Sequence, residues 1–437
     1  MNDYLSCLEK YNPNIRSILG NNVKHNLKII YKFSQERKEK IYLVGGIVRD
    51  ILLGRNSKDI DLVLKGNSQE FALSLLSKLK PVKHRYTERF LTYNIFTNSG
   101  TNIDIASFRE ETYPYPGALP SVIPADLEND YIRRDFTINS MYISFDEKAE
   151  LYDPLNAMED LKNGIIKIIH DKSFEDDPTR IFRAVKFAAR YNFSLEEKTE
   201  QLLKKAVDNN FLNTISYMRL KNEIYTLFTE KNLRGILKYF RDYNILKYLN
   251  IPDPNDETIE ELLRIVHSFY FLKAKEEFRI SRGNFIIFYL LKDVPYKDKI
   301  NAVRFFEFPE KILSNFIFTD EEKNEVMEKL SASTKKSEIY KVLKSVSPFK
   351  MLYLYFTEKE NRNKIKTCLF KLISKNAIIS GSDLLEMGFS NDASMKKYLE
   401  HCFSIQLDME NPDKEKIIEK FIEELKYDRN LQNENGI

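Results

Sequence analysis

The sequence is poor in the side chains that build disulfide frameworks and zinc sites. It has three cysteines and five histidines among 437 residues. Cys7, Cys368 and Cys402 are far apart and odd in number, which argues against a disulfide framework and against a CxxC zinc site. The histidines show no HExxH or other ligand spacing, and we interpret His170 as structural.

Long apolar runs and a strong charge imbalance are also absent. No apolar run approaches the roughly 20 residues that cross a bilayer. The first ten residues, MNDYLSCLEK, lack the basic-then-apolar layout of a secretory signal. A net charge of +3 with 30% charged residues is too close to neutral to indicate nucleic-acid binding by itself. We therefore expect a soluble, cytoplasmic protein with no membrane partner, whose RNA site, if it has one, is a local patch.

What the chain does have is enough length and apolar content for several domains. It is 43% hydrophobic and too long for one compact core. Short β-rich runs alternate with helical stretches at first, and the strands are predicted to stop after about residue 152, where apolar residues begin to recur at helical spacing. The pattern predicts an α+β fold with a mixed sheet first and helices afterwards. The predicted divisions are an N-terminal helical extension (1–27), a mixed-sheet segment (28–150) and three helical segments (151–230, 231–310 and 311–437).

The densest functional signal lies in residues 41–63, IYLVGGIVRDILLGRNSKDIDLV. A short apolar run predicts a buried strand, and Gly45 and Gly46 let the backbone turn tightly and approach a phosphate. The helix predicted to follow, from about residue 47 to 53, has its N-terminus beside those glycine amides, where anions bind. Asp59 and Asp61 alternate along the next predicted strand, so both carboxylates point the same way. The pattern predicts a divalent-metal site beside a phosphate site.

This string resembles GGxVRDxLLGxxxxDxD, the head motif of the tRNA nucleotidyltransferases that build or complete the 3′-terminal CCA, and of their bacterial poly(A) polymerase relatives. The resemblance implies a nucleotidyltransferase head followed by helical neck, body and tail, with tRNA bound by the tail. It also implies that Asp59 and Asp61 are catalytic and hold two Mg²⁺ ions, and that Gly46 and Arg49 bind the triphosphate. Asp104, on a later predicted strand, is the candidate third catalytic carboxylate.

A second motif, RRDFTIN at residues 133–139, resembles the RRDFTxN motif of the same family. A carboxylate beside an arginine, with an amide one helical turn onward, can recognise a ribose 2′-hydroxyl. We therefore predict that Arg134, Asp135 and Asn139 bind the nucleotide.

Residues 176–187, DDPTRIFRAVKF, resemble the nucleotide-selecting helix of the family. Asp177 and Arg180 lie on one helix face and place acceptor oxygens beside guanidinium donors. This pair complements cytosine and adenine, whereas uracil and guanine present mismatched polar groups, which are costly in a closed site. The protein itself would then act as the template. We expect Arg183 and Lys186, one turn further, to reach the triphosphate or the primer, although lysine at 186 replaces the family's usual arginine and lacks its forked geometry.

Residues 216–223, SYMRLKNE, resemble an SxxRxxxE motif of the family neck. Arg219 and Glu223 are four residues apart and are predicted to pair along a helix. We assign this motif to supporting the nucleotide-selecting helix.

Basic residues concentrate between residues 329 and 375, where twelve Lys or Arg stand against three Glu in what we predict to be one helical stretch. Such a stretch can track a phosphate backbone. A merely solvated face explains it equally well.

The segment 108–130, FREETYPYPGALPSVIPADLEND, bears on which family member this is. Members restricted to CC addition lack a flexible loop at this place, and here the loop is intact. The leading prediction is a magnesium-dependent enzyme that adds CMP or AMP from CTP or ATP to a tRNA 3′ end without a nucleic-acid template and releases pyrophosphate. The sequence of segment 108–130 also resembles that of lineages in which CC addition and A addition are divided between two enzymes. An enzyme that adds only the terminal A is therefore a second prediction.

Two further alternatives are a bacterial poly(A) polymerase and a catalytically inactive RNA-binding relative. The closing segment 427–437 is not strongly basic, which disfavours the first. Retention of Asp59, Asp61, Asp177 and Arg180 disfavours the second. The sequence leaves monomer and homodimer equally open.

Overall fold

The computed structural model describes residues 3–272, 281–305 and 317–434. It confirms the predicted α+β class, and it divides into two compact units, Met1–Tyr248 and Leu249–Ile437. Every strand that the structure describes lies in the first unit. The predicted boundary at residue 310 lies outside the described residues.

The first unit is built on a mixed seven-stranded sheet, called here the head sheet. The strands of the unit are β1 (Ile41–Val44), β2 (Asp59–Leu64), β3 (Pro81–Thr87), β4 (Thr92–Thr97), β5 (Asn102–Ser107), β6 (Arg109–Thr112), β7 (Ser121–Pro124), β8 (Tyr142–Ser144), β9 (Leu151–Tyr152), β10 (Ile165–Ile166) and β11 (Ser194–Leu195). The head sheet has the order β3-β4-β5-β2-β1-β8-β9. Its centre pairs β2 with β5 in parallel and with β1 antiparallel. The remaining strands form a β6–β7 hairpin and a short β10–β11 pair.

The helices of the first unit begin before the sheet and continue after it. They are α1 (Tyr4–Leu8), α2 (Ile15–Ile18), α3 (Asn21–Arg37), α4 (Gly46–Leu52), α5 (Ser68–Leu79), α6 (Leu127–Ile132), α7 (Ala157–Asn163), α8 (Ser173–Asp176), α9 (Thr179–Tyr191), α10 (Glu197–Asp208), α11 (Tyr217–Phe228) and α12 (Leu233–Asp242). The helix predicted after the Gly-Gly turn is α4, shifted by one residue. It starts directly after Gly45, whose φ of +71° is the left-handed conformation that glycine adopts without strain.

The N-terminal helices pack on the head sheet. The Tyr4 hydroxyl donates a hydrogen bond to the Ser144 carbonyl at 3.0 Å, and the Tyr4 ring contacts the rings of Tyr31 and Phe145. The predicted divisions at residues 27/28 and 150/151 are not breaks in the structure. α3 is continuous through the first, and β9 of the head sheet follows the second.

The prediction that strands end at about residue 152 is wrong for one short parallel pair, β10 and β11. Each has two residues, which is too short for an alternating pattern to stand out from the helices around it. This pair lies beside α9, whose buried face carries Ile181, Phe182 and Val185.

All regular secondary structure in the described ranges of the second unit is helical. Its α-helices are α13 (Asp256–Leu272), α14 (Arg282–Leu290), α15 (Tyr296–Phe305), α16 (Asp320–Ala332), α17 (Lys336–Lys344), α18 (Pro348–Thr357), α19 (Arg362–Thr367), α20 (Gly381–Glu386), α21 (Met395–Asp408) and α22 (Lys414–Glu434). None of the helices in the described part of the chain is both long and apolar enough to cross a membrane.

The basic stretch 329–375 is not one helical stretch, as predicted, but is divided among α16 to α19. One break has a clear local cause. Ser347 accepts a hydrogen bond from the Lys350 amide at 3.2 Å and caps α18, and Pro348 occupies its first turn.

Candidate active site

A cavity of about 360 Å³ opens beside the β1–α4 turn, within the usual size range of small-ligand sites. We call it the head cavity. Its walls come from the Gly-Gly turn, the middle of β2 and β5, the 133–139 segment and α9. Five arginines and three aspartates give it its polar character: Arg49, Arg109, Arg133, Arg134, Arg183, Asp61, Asp104 and Asp135.

Two carboxylates meet at the floor of the head cavity because β2 and β5 run in parallel. Asp61 and Asp104 are direct register partners on these strands. Burial raises the pKa of Asp61 to about 7, and the negative charge of Asp104 adds to this while Arg134 opposes it. Burial also raises the pKa of Asp104, against the hydrogen bonds that its Oδ1 accepts from Asn94 at 2.6 Å and Asn102 at 3.2 Å.

Asp59 begins β2, two residues before Asp61 and on the same face of the strand. It is exposed and does not line the head cavity. Its charge nevertheless raises the pKa of both Asp61 and Asp104. The three acids therefore carry mutually unfavourable negative charge, which a bound cation would relieve.

These carboxylates suit a metal ion that is bound partly by the protein and partly by a substrate. In the described ranges, no three His, Cys, Asp or Glu side chains lie close enough to hold an ion by themselves. Mg²⁺ prefers oxygen ligands and is commonly bound through one or two carboxylates together with substrate phosphates and water. Asp59 and Asp61 fit that arrangement.

Arg49 is buried and held rigidly at the wall of the head cavity. Its guanidinium donates hydrogen bonds to the Asn139 side chain and, at 3.0 Å, to Asp50 Oδ1. It also stacks over the rings of Phe187 and Tyr191, 5.0 and 4.9 Å from their centroids. The conformation of the Arg49 side chain is therefore largely fixed before any ligand binds.

Asp130, within α6, anchors Arg133 and Arg134. It accepts hydrogen bonds of 2.7 Å from Arg133, Arg134 and the Tyr142 hydroxyl. Burial alone would raise the pKa of this carboxyl, but Arg134 and Arg133 outweigh burial and hold the pKa well below its usual range. The result is a fixed pair of guanidinium groups facing the head cavity.

Asp135, Asn139 and Arg183 form one hydrogen-bonded group. Asp135 accepts from Arg183 Nε at 2.7 Å and from Asn139 Nδ2 at 3.0 Å. Its burial opposes ionisation, yet Arg183 and Asn139 lower its pKa to about 2. The RRD motif and the predicted nucleotide-selecting helix thus meet at the head cavity.

Asp177, Arg180 and Lys186 do not line the head cavity. The Arg180 guanidinium donates to Ser173 Oγ at 2.6 Å and to the Arg133 carbonyl at 2.7 Å. It lines a second cavity of about 230 Å³ that also includes His170. Lys186 is partly buried, and burial and Arg190 lower its pKa.

The predicted pair of Arg219 with Glu223 is wrong. Arg219 instead pairs with Asp177, at 2.7 Å. The reason is that α11 packs against α9, which brings the arginine to a carboxylate 42 residues away in sequence.

Two family models match the chain on either side of α9. One family model, described as the poly A polymerase head domain, matches residues 41–167, and another, a probable RNA and SrmB-binding site of polymerase A, matches residues 192–256. An A-adding tRNA nucleotidyltransferase of Aquifex aeolicus is 36% identical over 338 residues, which is 76% of this chain and 40% of that protein.

Solved structures are similar to this chain over nearly its whole length. A CCA-adding enzyme in an apo form has a TM-score of 0.77 and 27% identity, covering 97% of this chain and 99% of the other. The family models, the sequence relatives and the solved structures together support a class II tRNA nucleotidyltransferase. A Thermotoga maritima CCA-adding enzyme complexed with tRNA gives a TM-score of 0.73 and 26% identity with the same coverage. The chain spans less than half the length of the Aquifex member of the family.

The two family models leave a gap that contains the predicted nucleotide-selecting helix. The head-domain match ends at residue 167 and the second match begins at 192, so α9 and the residues just before it lie between them. The Aquifex relative, aligned over 76% of this chain, and the CCA-adding structure, aligned over 97%, extend across that segment.

Sequence reasoning missed Arg109 and Phe187 as cavity residues. Arg109 donates to Thr92 Oγ1 at 2.8 Å and to Glu111 at 2.9 Å. The charged string Arg109-Glu110-Glu111, at the beginning of the loop segment 108–130, was the available signal. Phe187 ends the nucleotide-selecting motif, and its ring supports Arg49 and Arg183.

Proposed function

We propose that this class II family member transfers CMP or AMP from CTP or ATP to the 3′ end of tRNA without a nucleic-acid template. The observation that carries this proposal is the convergence of Asp61 and Asp104 with five arginines in the head cavity. Such a site offers carboxylates for a metal ion and guanidinium groups for a triphosphate. The tRNA bound to the Thermotoga relative supports the choice of acceptor.

The arginines supply most of the binding chemistry. Guanidinium groups bind phosphate oxygens in a forked, directional way, and the bonds to Asp50 and Asp130 hold Arg49 and Arg134 in place beforehand. Fixing donors before the substrate binds lowers the ordering cost of binding. We assign triphosphate binding to Arg49 and Arg134, with the Gly45-Gly46 amides beside them, and expect Arg183 and Lys186 to contact the triphosphate or the primer.

Asp59 and Asp61 would hold two Mg²⁺ ions, which when bound activate the attacking 3′-hydroxyl and neutralise the pyrophosphate that leaves. Asp104 lies in register with Asp61 and keeps its carboxylate aligned through Asn94 and Asn102. Asp135 and Asn139 are placed to recognise the ribose, and Asp177 and Arg180 to recognise the base.

Two reactions known in this family are candidates: addition of the whole CCA end and addition of the terminal A alone. CCA addition is favoured by the solved CCA-adding structures, and A-only addition by the Aquifex relative. We also propose that the reaction takes place in the cytoplasm.

The test uses three forms of one tRNA, ending before CCA, after the first C, and after CC. Each is incubated with Mg²⁺ and with CTP, ATP or both, and the products are sized. Completion of all three ends supports CCA addition, whereas extension of the CC-ended form alone establishes an A-adding specialist. Long A tails on unrelated RNA would indicate a poly(A) polymerase. No extension of any form would indicate an inactive RNA-binding relative.

A further inference from the structure

A segment near the start of the chain packs against the stretch that leads into the predicted metal-binding strand. We call residues 3–20 the N-terminal segment, and residues 53–58, which join α4 to β2, the linker. The N-terminal segment precedes residue 41, where the head-domain match begins. The head motif GGxVRDxLLGxxxxDxD leaves four linker positions, 55–58, unspecified. Neither the model nor the motif therefore accounts for contacts between the two.

The N-terminal segment is firmly attached to the first unit. Leu8, Ile15 and Leu19 are almost completely buried, and burial of such side chains is strongly favourable. The Tyr11 hydroxyl donates a hydrogen bond to the Ala149 carbonyl at 2.7 Å. The segment is therefore a fixed support for whatever it contacts.

Asn12 joins the N-terminal segment to the end of α4. Its Nδ2 donates to the Ile51 carbonyl at 3.2 Å, and its Oδ1 accepts from the Asn14 amide at 3.0 Å. The last carbonyls of a helix lack partners within the helix, and Asn12 satisfies one of them. Gly54 follows with a φ of +66°, and a Cβ atom there would lie 3.1 Å from Asn12 Nδ2. The beginning of the linker is thus held closely against Asn12.

A second hydrogen bond reaches the middle of the linker. The Gly20 amide donates to Asn56 Oδ1 at 3.1 Å. One residue further on, the buried Ser57 donates from its Oγ to the Asp59 carbonyl at 3.0 Å. The linker is therefore held at its beginning, in its middle and at its end, directly where β2 starts.

Asp59 depends on the linker for its direction. It is exposed, and in the part of the chain that the structure describes its carboxylate accepts no hydrogen bond that would orient it. Asp104, in contrast, is aligned by Asn94 and Asn102. The direction of the Asp59 side chain is therefore set by the backbone at the first residue of β2.

We propose that Asn12 and Asn56 are positioning residues for the metal site, which hold the linker so that Asp59 enters β2 beside Asp61. The inference rests on the proposed function, because it takes Asp59 as a metal ligand. Mg²⁺ demands near-ideal octahedral geometry, so a displaced carboxylate binds it less tightly. Loss of either bond should weaken metal binding while the arginines of the head cavity keep their own partners.

The experiment measures metal binding separately from catalysis. Mn²⁺ is the probe, because it takes the same oxygen ligands as Mg²⁺ and its unbound fraction is measured by electron paramagnetic resonance. It is titrated into protein that is in excess over a non-hydrolysable ATP analogue. Affinity for the analogue without metal, and transfer of AMP to CC-ended tRNA as a function of Mg²⁺ concentration, are measured alongside.

The variants are Asn12→Ala, Asn12→Asp and Asn56→Ala. We expect each to weaken Mn²⁺ binding by about three- to tenfold, somewhat less than the loss of a residue bonded directly to a metal ligand. The Mg²⁺ concentration for half-maximal transfer should rise by a similar factor. Affinity for the analogue without metal should change by less than about twofold, because the guanidinium groups that bind phosphate are untouched.

Asn12→Asp separates the hydrogen bond from the packing. It keeps the size of the side chain and the acceptor for the Asn14 amide, but it cannot donate to the Ile51 carbonyl. Its added negative charge would by itself favour a nearby cation. Weaker Mn²⁺ binding in this variant would therefore come from the lost donor.

Tyr11→Phe is the matched control. It removes one hydrogen bond from the same segment, but that bond goes to the Ala149 carbonyl and not to α4 or the linker. It should lower the melting temperature about as much as Asn12→Ala does, since each loses one hydrogen bond, and leave Mn²⁺ affinity unchanged. Because Asn56 is exposed, Asn56→Ala gives a folded variant even where Asn12→Ala does not.

Mn²⁺ affinities of Asn12→Ala and Asn56→Ala equal to that of Tyr11→Phe would overturn the positioning role. Wild-type affinity in Asn12→Asp would overturn the part assigned to the donor. Mn²⁺ binding that depends on both asparagines, without transfer to any tRNA, would support the inference and overturn the proposed reaction. Mn²⁺ binding that Asp59→Ala does not weaken would overturn both the metal assignment and this inference.

Discussion

Asp130 holds two of the five arginines of the head cavity in place. Its side chain is completely buried, and it is held there by Arg133, Arg134 and Tyr142. A buried carboxylate is tolerated when opposite charges and donors surround it, and removing one member of such a group leaves the others unpaired. Arg134 would then lose its carboxylate partner, and Arg133 would keep only its ion pair with Glu111 at 2.8 Å.

We predict that Asp130→Asn lowers the free energy of unfolding by about 2–4 kcal/mol. Urea unfolding measures this directly. Asp126→Asn is the matched control, because Asp126 is 69% exposed and pairs at the surface with Lys65. That substitution should change the free energy of unfolding very little.

The difference in unfolding free energy between wild type and Asp130→Asn should depend on pH. The pKa of Asp130 is lower in the folded protein than in the unfolded chain, where it is about 3.9. Its contribution to stability is therefore fully present above about pH 4 and is lost as the pH falls below that value. The difference between wild type and Asp130→Asn should narrow in acid. A difference that stays constant from pH 6 to pH 3 would contradict the assignment.

At the scale of secondary structure, the β1–α4–β2 unit was predictable from sequence because its signals are local. Alternating burial fixes the direction of Asp59 and Asp61, and a glycine pair marks the turn. Arg219 was different. The four-residue spacing between Arg219 and Glu223 predicted a pair along one helix. In the structure α11 packs against α9, and Arg219 pairs with Asp177. Contacts between residues tens of positions apart leave no periodicity in the sequence.

The N-terminal helices provide a prediction at this scale. Tyr4 is almost fully buried, so Tyr4→Ala should cost about 3–5 kcal/mol of unfolding free energy through the cavity it leaves. Tyr4→Phe should cost about 1 kcal/mol for the lost bond to Ser144. Both are measured by urea unfolding, with Tyr115→Phe as the control because Tyr115 is exposed. Equal stability of Tyr4→Ala and wild type would show that α1 does not stabilise the head sheet.

At the scale of the whole molecule, the α+β class and the family could be inferred from sequence, while the division of the chain could not. Continuity of α3 across residue 27 and the position of β9 just after residue 150 depend on packing with the head sheet. The sequence likewise identified only part of the head cavity. The motifs identified Asp61, Arg134 and Asp135, but Arg109 joins them only because β6 follows β5 beside the cavity.

The most direct measurement of the central claim is transfer of labelled AMP to a CC-ended tRNA by wild type and Asp61→Asn, side by side. The head cavity as catalytic centre predicts that wild type adds one A in the presence of Mg²⁺. Asp61→Asn should retain its melting temperature and lose at least about a thousandfold in rate, because several kcal/mol of metal-dependent stabilisation disappear. Transfer by Asp61→Asn at the wild-type rate would show that the head cavity is not the catalytic centre.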